Sequence, residues 1–311
     1  MRILVAGGAG FLGSHLSEKL VYTGQEVVIV DDLSSGREKN ISQILSKVQF
    51  INKDLVEFHT DKKFDLIINL ASRASRVEWE TYPVEIALTN SLGNHNLIKI
   101  ALKSNAKYIY ASTSEVYGNP EIVPTPENYI GRINPIGSRS PYDESKRFGE
   151  TLVMSYEREY NLKGIIIRFF NTYGPRMRGG DLYGRVLDRF VQQALSSNPI
   201  TIYGDGTQTR SFTHVNDTVA AILLIAQKGK IGEVYNVGSN REISVNDLAL
   251  EVLKITKSKS KLQNHPLPPD DPLRRGADIS KISALGWSPE VNITDGVQSM
   301  VDYYKEEKEY R

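Results

Sequence analysis

Apolar residues in the first half of the chain come in short unbroken runs. RILVA (2–6), EVVIV (26–30), VQFI (48–51), DLIINL (65–70), YIYAS (108–112) and GIIIRFF (164–170) have strand length and are rich in β-branched and aromatic residues. An uninterrupted apolar run suits a strand covered on both faces. Between these runs lie stretches with helical periodicity, among them Phe11–Tyr22 and Val84–Ser104. Strands interleaved with helices predict βαβ units and a doubly wound parallel sheet of the α/β class. A closed eight-unit barrel would need a strand about every 30 residues, and that rhythm stops near residue 170.

Beyond that point the texture changes. Gly, Pro and Arg become more frequent, strands shorten to TIY (201–203) and VYNVG (234–238), and helical periodicity recurs at Val215–Gln227, Val245–Lys257 and Thr294–Glu307. The pattern predicts a smaller α/β C-terminal lobe built from insertions at the carboxyl ends of the strands. The expected boundaries are residues 1–171 for the first domain, with part of 208–240 returning to it, and 172–207 plus 241–311 for the lobe. KSKSK (257–261) reads as a solvated helix end and PLPPDDP (266–272) as an extended connection. A length of 311 residues, twice the usual ~150 for one domain, accommodates both parts.

Charge and composition narrow the chemistry. Lys and Arg number 38 against 37 Asp and Glu, a net charge of +1, so no global field recruits nucleic acid or an anionic membrane. No cysteine is present, which removes disulfides, thiolate metal sites and a cysteine nucleophile. The five histidines, His15, His59, His95, His214 and His265, show no metal-ligand spacing, so no metal is expected. Apolar runs fall far short of the ~20 residues of a membrane span. With no signal peptide ahead of the first strand, the expected location is cytoplasmic.

The first strand-to-helix turn, AGGAGFLG, places Gly7, Gly10 and Gly13 where a dinucleotide pyrophosphate is held in the Rossmann arrangement. A turn without side chains lets backbone approach the phosphates, and the free N–H groups of Phe11, Leu12 and Gly13 open the following helix. Asp31 closes the second strand, 18 residues beyond Gly13, where a carboxylate accepts from the adenosine ribose hydroxyls and repels a 2′-phosphate. NAD is therefore favoured over NADP, with Arg37 either softening that preference or simply solvated. Asp54, with Leu55 beside it after the third strand, either contacts the adenine or caps a helix. Ala71 lines the cofactor where the fourth strand ends, and Ser112 does so at the end of the fifth.

Ser112, Thr113, Ser114 and Glu115 follow the fifth strand, at the sheet edge where such folds bind ligands. Tyr142 and Lys146 lie four residues apart at the start of a predicted helix, one turn apart on one face. An ammonium ~4 Å away in an effective dielectric of ~20 contributes about 4 kcal/mol, roughly three pKa units. That suffices to bring a phenol toward neutrality, where it exchanges a proton with a hydroxyl.

AGGAGFLG, ASTSEVYG, YDESK, RFFNTYGPR and YGDGTQTRSF occur in an order that resembles the extended short-chain dehydrogenase/reductase family over nearly the whole chain. The resemblance implies an NAD enzyme that transiently oxidises a nucleotide-diphospho-sugar at C4. It makes Tyr142 the general base, Lys146 its partner and a contact to the nicotinamide ribose, and Thr113 a hydrogen-bonding group to the sugar. Asn171, Arg176 and Arg210 become substrate contacts, Arg210 to the diphosphate.

Within that family, Ser114-Glu115 and the loop GRINPIGSRSPYDESKR (131–147) are similar to UDP-glucuronate decarboxylases, as are NTYGPRM and DDPLRRGADI. By that likeness Arg275 rather than Arg274 is the active-site arginine, and Glu115 and Arg275 position the sugar carboxylate and reprotonate C5. UDP-glucose 4-epimerase and dTDP-glucose 4,6-dehydratase remain the alternatives, and a non-enzymatic NAD sensor would be expected to lack the Tyr/Lys pair. The chain departs from decarboxylases at Pro141, at Gly276-Ala277 and at Ala-Ser-Arg-Ala-Ser-Arg over 71–76, where those enzymes tend to carry a proline-rich segment. Arg73 and Arg76 are there either additional anion contacts or solvated. Family members often form homodimers through helices 84–104 and 142–160. Ile86, Leu92, Leu97, Ile100, Leu152 and Tyr156 serve either that interface or the chain's own core.

Overall fold

The computed structural model describes residues 1–178, 186–266 and 274–309. Its elements are, in order, β1 (Arg2–Ala6), α1 (Phe11–Tyr22), β2 (Glu26–Asp31), β3 (Gln49–Asn52), β4 (Leu66–Asn69), α2 (Arg76–Thr81), α3 (Pro83–Leu88), α4 (Asn94–Ser104), β5 (Lys107–Thr113), α5 (Ser140–Tyr160) and β6 (Lys163–Phe169). There follow β7 (Thr172–Tyr173), α6 (Val186–Leu195), β8 (Ile200–Tyr203), β9 (Thr209–Ser211), β10 (Thr213–His214), α7 (Val215–Lys228), β11 (Val234–Val237) and β12 (Glu242–Ser244). The chain ends with α8 (Val245–Thr256), β13 (Leu262–His265), β14 (Arg274–Arg275), α9 (Ser280–Ser283) and α10 (Ile293–Glu309).

Two compact units result. The first comprises Met1–Gly118, Arg132–Phe169 and Val219–Tyr235, and the second Asn119–Gly131, Phe170–Thr218 and Asn236–Arg311. Residues 119–131, inside the first domain by the sequence boundaries, group with the second unit.

The first unit carries a seven-stranded sheet in the order β11-β6-β5-β4-β1-β2-β3. Pairing from β3 through β6 is parallel, with Val5 in register with Ile29 on one side and Ile68 on the other. This is the expected doubly wound α/β sheet. Leu4, Val28, Ile67, Tyr108 and Ile166 from the strands pack with Leu97, Ile98 and Val153 from α4 and α5. The apolar runs of the sequence thus form the sheet interior, and the polar turn residues are left at its carboxyl edge.

One predicted helix is divided. The stretch Val84–Ser104 forms α3, a π-helical turn at Thr89–Gly93, and α4. Two asparagines one turn apart are buried there. Asn90 Nδ2 donates to Ser145 Oγ at 2.9 Å, and Asn94 Nδ2 donates to the Gly149 carbonyl at 3.3 Å, so both tie this segment to α5. Of the apolar residues that served either a dimer or the core, Ile86, Leu97 and Ile100 are buried, and Leu152 and Tyr156 pack against the core. Leu92 is 48% exposed, and Val84, Leu88 and Phe148 are exposed as well.

The second unit holds a three-stranded sheet, β12-β9-β14, and the pairs β10-β7 and β13-β8. Helices α6, α8 and α10 pack on one another. Helix α6 was not marked by the sequence pattern. Of the predicted connection 266–272, all but Pro266 lies outside the described residues.

Helix α5 approaches β5 closely enough that a Cβ on Gly149 would lie 2.0 Å from the Tyr110 hydroxyl oxygen. Alanine is favoured over glycine by about 1 kcal/mol in a helix interior, but overpacking of a buried contact costs about 1–3 kcal/mol or more. Gly149→Ala is therefore expected to destabilise the protein by about 1–2 kcal/mol net, read as a lower urea midpoint. An unchanged or higher midpoint would refute the close contact.

Candidate active site

Strand β1 delivers the chain into the glycine turn. Gly7 has φ +73°, in the left-handed region where a side chain is strained, and a Cβ there would lie 2.8 Å from Ala71 Cα at the end of β4. At Gly13 a Cβ would lie 2.0 Å from the Gly7 carbonyl oxygen, so α1 starts hard against the turn. Gly10 is the N-cap of α1 and no side chain caps the helix. The amides of Phe11, Leu12 and Gly13 therefore form an uncovered helix N-terminus, the arrangement that favours an anion.

Asp31 stands beside this turn and is 7% exposed. Its carboxylate accepts from the backbone N–H of Ala9 and of Leu33, both at 2.9 Å. Burial raises its pKa, and the two amides oppose that shift. Asp31 thus fixes the glycine turn as well as presenting a carboxylate at the end of β2. The loop beyond β2 folds back on the same turn, with the Arg37 amide and Asn40 Nδ2 both donating to the Ala9 carbonyl. The Arg37 side chain is exposed. A bare helix N-terminus, a turn with no room for side chains and a buried acid alongside fit an anionic dinucleotide.

Asp54 is exposed and its Oδ1 accepts from the Val56 amide at 2.8 Å, a local capping contact. Leu55 is buried in the core beneath.

At the end of β5, Thr113 Oγ1 accepts from the Glu115 amide at 3.2 Å and so caps the 3-10 turn Ser114–Tyr117. Ser114 is buried. Ser112 Oγ donates to Glu150, which also receives two hydrogen bonds from Arg168, at 2.8 and 2.7 Å. Glu115 pairs with Arg139, whose Nε lies 3.4 Å from Asp143.

Tyr142 and Lys146 lie on the buried face of α5. The Lys146 ammonium donates to the Ala111 carbonyl at 2.9 Å and lies 5.1 Å from the Tyr110 ring centre and 5.9 Å from that of Tyr142. Burial pulls its pKa down to about 7, against the Glu150 carboxylate, which raises it. The charge on Lys146 is therefore conditional near neutrality. Burial also holds the Tyr110 phenol well above its usual pKa, so it stays protonated.

Two residues absent from the sequence reading belong to this cluster. Trp79 stacks on Tyr142 with ring centres 4.7 Å apart and planes inclined by 11°, and the Arg139 guanidinium lies 5.2 Å from the Trp79 ring centre. Arg139 sits three residues before Tyr142, a spacing that places it one turn earlier on the same helix face. Trp79 has no such signal, since its only link to Tyr142 is tertiary.

In the second unit, Asn171 Nδ2 donates to the Ser211 carbonyl at 3.0 Å. Arg176 has φ +67° and is half-buried. Arg210 and Arg275 are register partners on β9 and β14, both buried, so the two guanidinium groups leave the sheet on one face. Arg274 is exposed and paired with Glu242 at 2.8 Å. Of the two neighbours, Arg275 is therefore the buried one. Among the described residues no group of acidic or histidine side chains could hold a metal, and no helix is long and apolar enough to cross a membrane.

This arrangement is that of a known class. The sequence profile of the NAD dependent epimerase/dehydratase family matches residues 3–238, and the chain belongs to that family. UDP-glucuronic acid decarboxylase 1 of Arabidopsis thaliana is 40% identical over 308 residues, which span 98% of this chain and 70% of that relative. The solved UDP-glucose 4-epimerase of Thermotoga maritima, with UDP-glucose, superposes with a TM-score of 0.91 at 31% identity, covering 99% of this chain and all of that one. The UDP-glucuronic acid 4-epimerase of Bacillus cereus, in complex with UDP-glucuronic acid and NAD, has a TM-score of 0.87 at 31% identity, covering 98% of this chain and 99% of that one.

A lysine whose pKa falls from 10.5 unfolded to about 7 folded binds fewer protons in the native state between those limits. Stability should therefore rise with pH across that window, and the cost of burying the charge is fully present below it. Lys146→Met is expected to stabilise the ligand-free protein near pH 6 by on the order of 1–3 kcal/mol, with the gain fading toward pH ~10. Thermal melts of both proteins across that pH range measure it, and a variant that melts below the wild type at pH 6 would contradict it.

Proposed function

We propose that this chain decarboxylates UDP-glucuronate to UDP-xylose. The observation that carries the reading is Glu115, held by Arg139 beyond β5 in the same unit as Tyr142 and Lys146. Simple 4-epimerisation needs no carboxylate there, whereas loss of the C5 carboxylate calls for a group that steers it and reprotonates C5. The likeness to curated UDP-glucuronic acid decarboxylases supports the same choice.

In this mechanism the backbone of Gly7, Gly10, Phe11, Leu12 and Gly13 would hold the pyrophosphate of NAD, and Asp31 the adenosine ribose. Ala71 and Ser112 would line the cofactor, and the segment of Asp54 and Leu55 would border the adenine. Bound NAD would supply a reversible hydride acceptor for sugar C4, so that the C4 ketone lies β to the carboxylate and carbon dioxide can depart. Tyr142 Oη takes the proton of the C4 hydroxyl and later returns it. Lys146, in its charged form, favours the phenolate, and the stacked Trp79 ring limits how far Tyr142 can turn. Thr113 and Ser114 hydrogen-bond the sugar. Glu115 and Arg275 steer the carboxylate, and a water molecule beside Glu115 supplies the proton that takes the place of carbon dioxide on C5. Asn171, Arg176 and Arg210 bind the nucleotide-diphosphate, Arg210 through its planar fork of donors.

A second reading, 4-epimerisation of the same sugar acid, is favoured by the Bacillus cereus neighbour, which was solved with UDP-glucuronic acid. One assay separates the two. Protein supplied with NAD and UDP-glucuronate should release carbon dioxide and yield UDP-xylose, whereas conversion to UDP-galacturonate with no gas would establish the epimerase. Glu115→Gln is expected to slow decarboxylation by about 10²–10³-fold while NAD binding, followed by calorimetry, persists. Wild-type turnover in that variant would remove Glu115 from the mechanism.

The proposal extends to a homodimer acting in the cytoplasm. Val84, Leu88 and Leu92 recur one turn apart and are exposed by 64%, 40% and 48%, and Phe148 on α5 is also exposed. Such a stripe suits burial against a second copy. Leu88→Glu should convert the dimer to a monomer in light scattering, and an unchanged mass would rule out this face. Recovery in the supernatant after high-speed centrifugation of a lysate checks the location.

A further inference from the structure

Arg73 lies beyond β4, at one of the positions where the chain departs from its decarboxylase-like pattern, and its side chain reaches another loop. Its Nη1 donates to the Ser34 carbonyl at 3.2 Å and to Glu78 Oε1 at 3.1 Å. Ser34 follows β2. In the sheet, β1 lies between β4 and β2. The Arg73–Ser34 bond therefore crosses the carboxyl edge of β1, from which the glycine turn emerges.

The arginine is held in this position from below. Glu78 is 3% exposed and accepts from Ser75 Oγ at 2.9 Å as well as from Arg73. The Tyr82 ring lies 4.2 Å from the guanidinium carbon, so the planar group rests on an aromatic face. Both contacts come from the segment that begins α2 and α3, and neither needs a ligand. The Arg73 side chain is 18% exposed, and both hydrogen bonds given above leave from Nη1, so Nε and Nη2 can meet an anion. Arg76, by contrast, lies on the surface 3.8 Å from Glu80. The two arginines of this segment thus differ: Arg73 bridges loops and Arg76 is solvated.

We propose that Arg73 is a binding residue for the dinucleotide, a bridge over the glycine turn that slows release of the bound cofactor. The inference rests on the dinucleotide site of the proposed function. The guanidinium bonds from the loop after β4 to the loop after β2, and the α1 N-terminus that would hold a pyrophosphate follows β1, the strand between them. Retention suits a reaction in which the cofactor is restored in each turnover and has no need to leave.

The test is the release rate of NADH from the loaded protein, followed by fluorescence after a chase with excess NAD. Arg73→Met keeps the aliphatic stem over Tyr82 and removes the donors. Because it leaves Glu78 without its cation, the double variant Arg73→Met/Glu78→Gln, which keeps the charge balance, is measured beside it. Loss of charge-assisted contacts of this kind corresponds to about ten- to one-hundred-fold, so release from both variants is expected to be faster by that factor. A merely structural Arg73 would lower the melting temperature of the ligand-free protein and leave the release rate at the wild-type value, which would overturn the inference. Failure of the wild-type protein itself to bind NADH would overturn the dinucleotide site and this inference with it.

Discussion

The closeness of α5 to β5 governs the chemistry of the first unit. Successive turns of the helix meet neighbouring residues of the strand: Lys146 bonds the Ala111 carbonyl, Gly149 touches Tyr110, and Glu150 accepts from Ser112. Only a residue without a side chain at 149 permits that separation. A wider one would move Lys146 off its carbonyl and Tyr142 away from the end of β5. The π turn before α4 serves the same contact from the other side, since Asn90 and Asn94 bond to α5 at Ser145 and Gly149. Packing in the core thus sets the position of two polar groups at the edge.

That packing also sets their charges. Lys146 is buried, and desolvation lowers its pKa to about 7 against the pull of the Glu150 carboxylate nearby. Glu150 is itself matched by Arg168, which also donates to the Tyr117 hydroxyl at 2.8 Å. The lysine therefore responds to a balance reaching from α5 across β6. A group balanced near neutrality can be tipped by a modest change in its surroundings, which a permanently charged surface lysine cannot. Glu115, Arg139 and Asp143 form a second charge group, on the turn after β5 and the start of α5.

What was legible in the sequence follows from range. The glycine spacing, the acid closing β2 and the Tyr142/Lys146 pair are local patterns, and each lies on the element expected of it. The strand runs were legible because burial on both faces leaves no polar residue to interrupt them. The division of helix 84–104 was not, because it is tied to buried asparagines whose partners lie about 55 residues away. Trp79 and Arg73 were missed or left open for the same reason: a stack on Tyr142 and a bond to Ser34 are tertiary facts. The lowered pKa of Lys146 was not legible, because spacing reports which groups are neighbours and says nothing of how far water is excluded.

The second unit concentrates positive charge locally in a nearly neutral chain. Arg210 and Arg275 stand abreast on neighbouring strands, an arrangement that costs stability because like charges repel across a ladder. The nearby Glu242 is committed to Arg274 and Thr209. In the proposed function a diphosphate or carboxylate would lie against both guanidinium groups, and any repulsion between them that binding relieves would add to affinity. A net charge of +1 is therefore no obstacle to binding an anion, because charge density at one register position matters more than the sum over the chain.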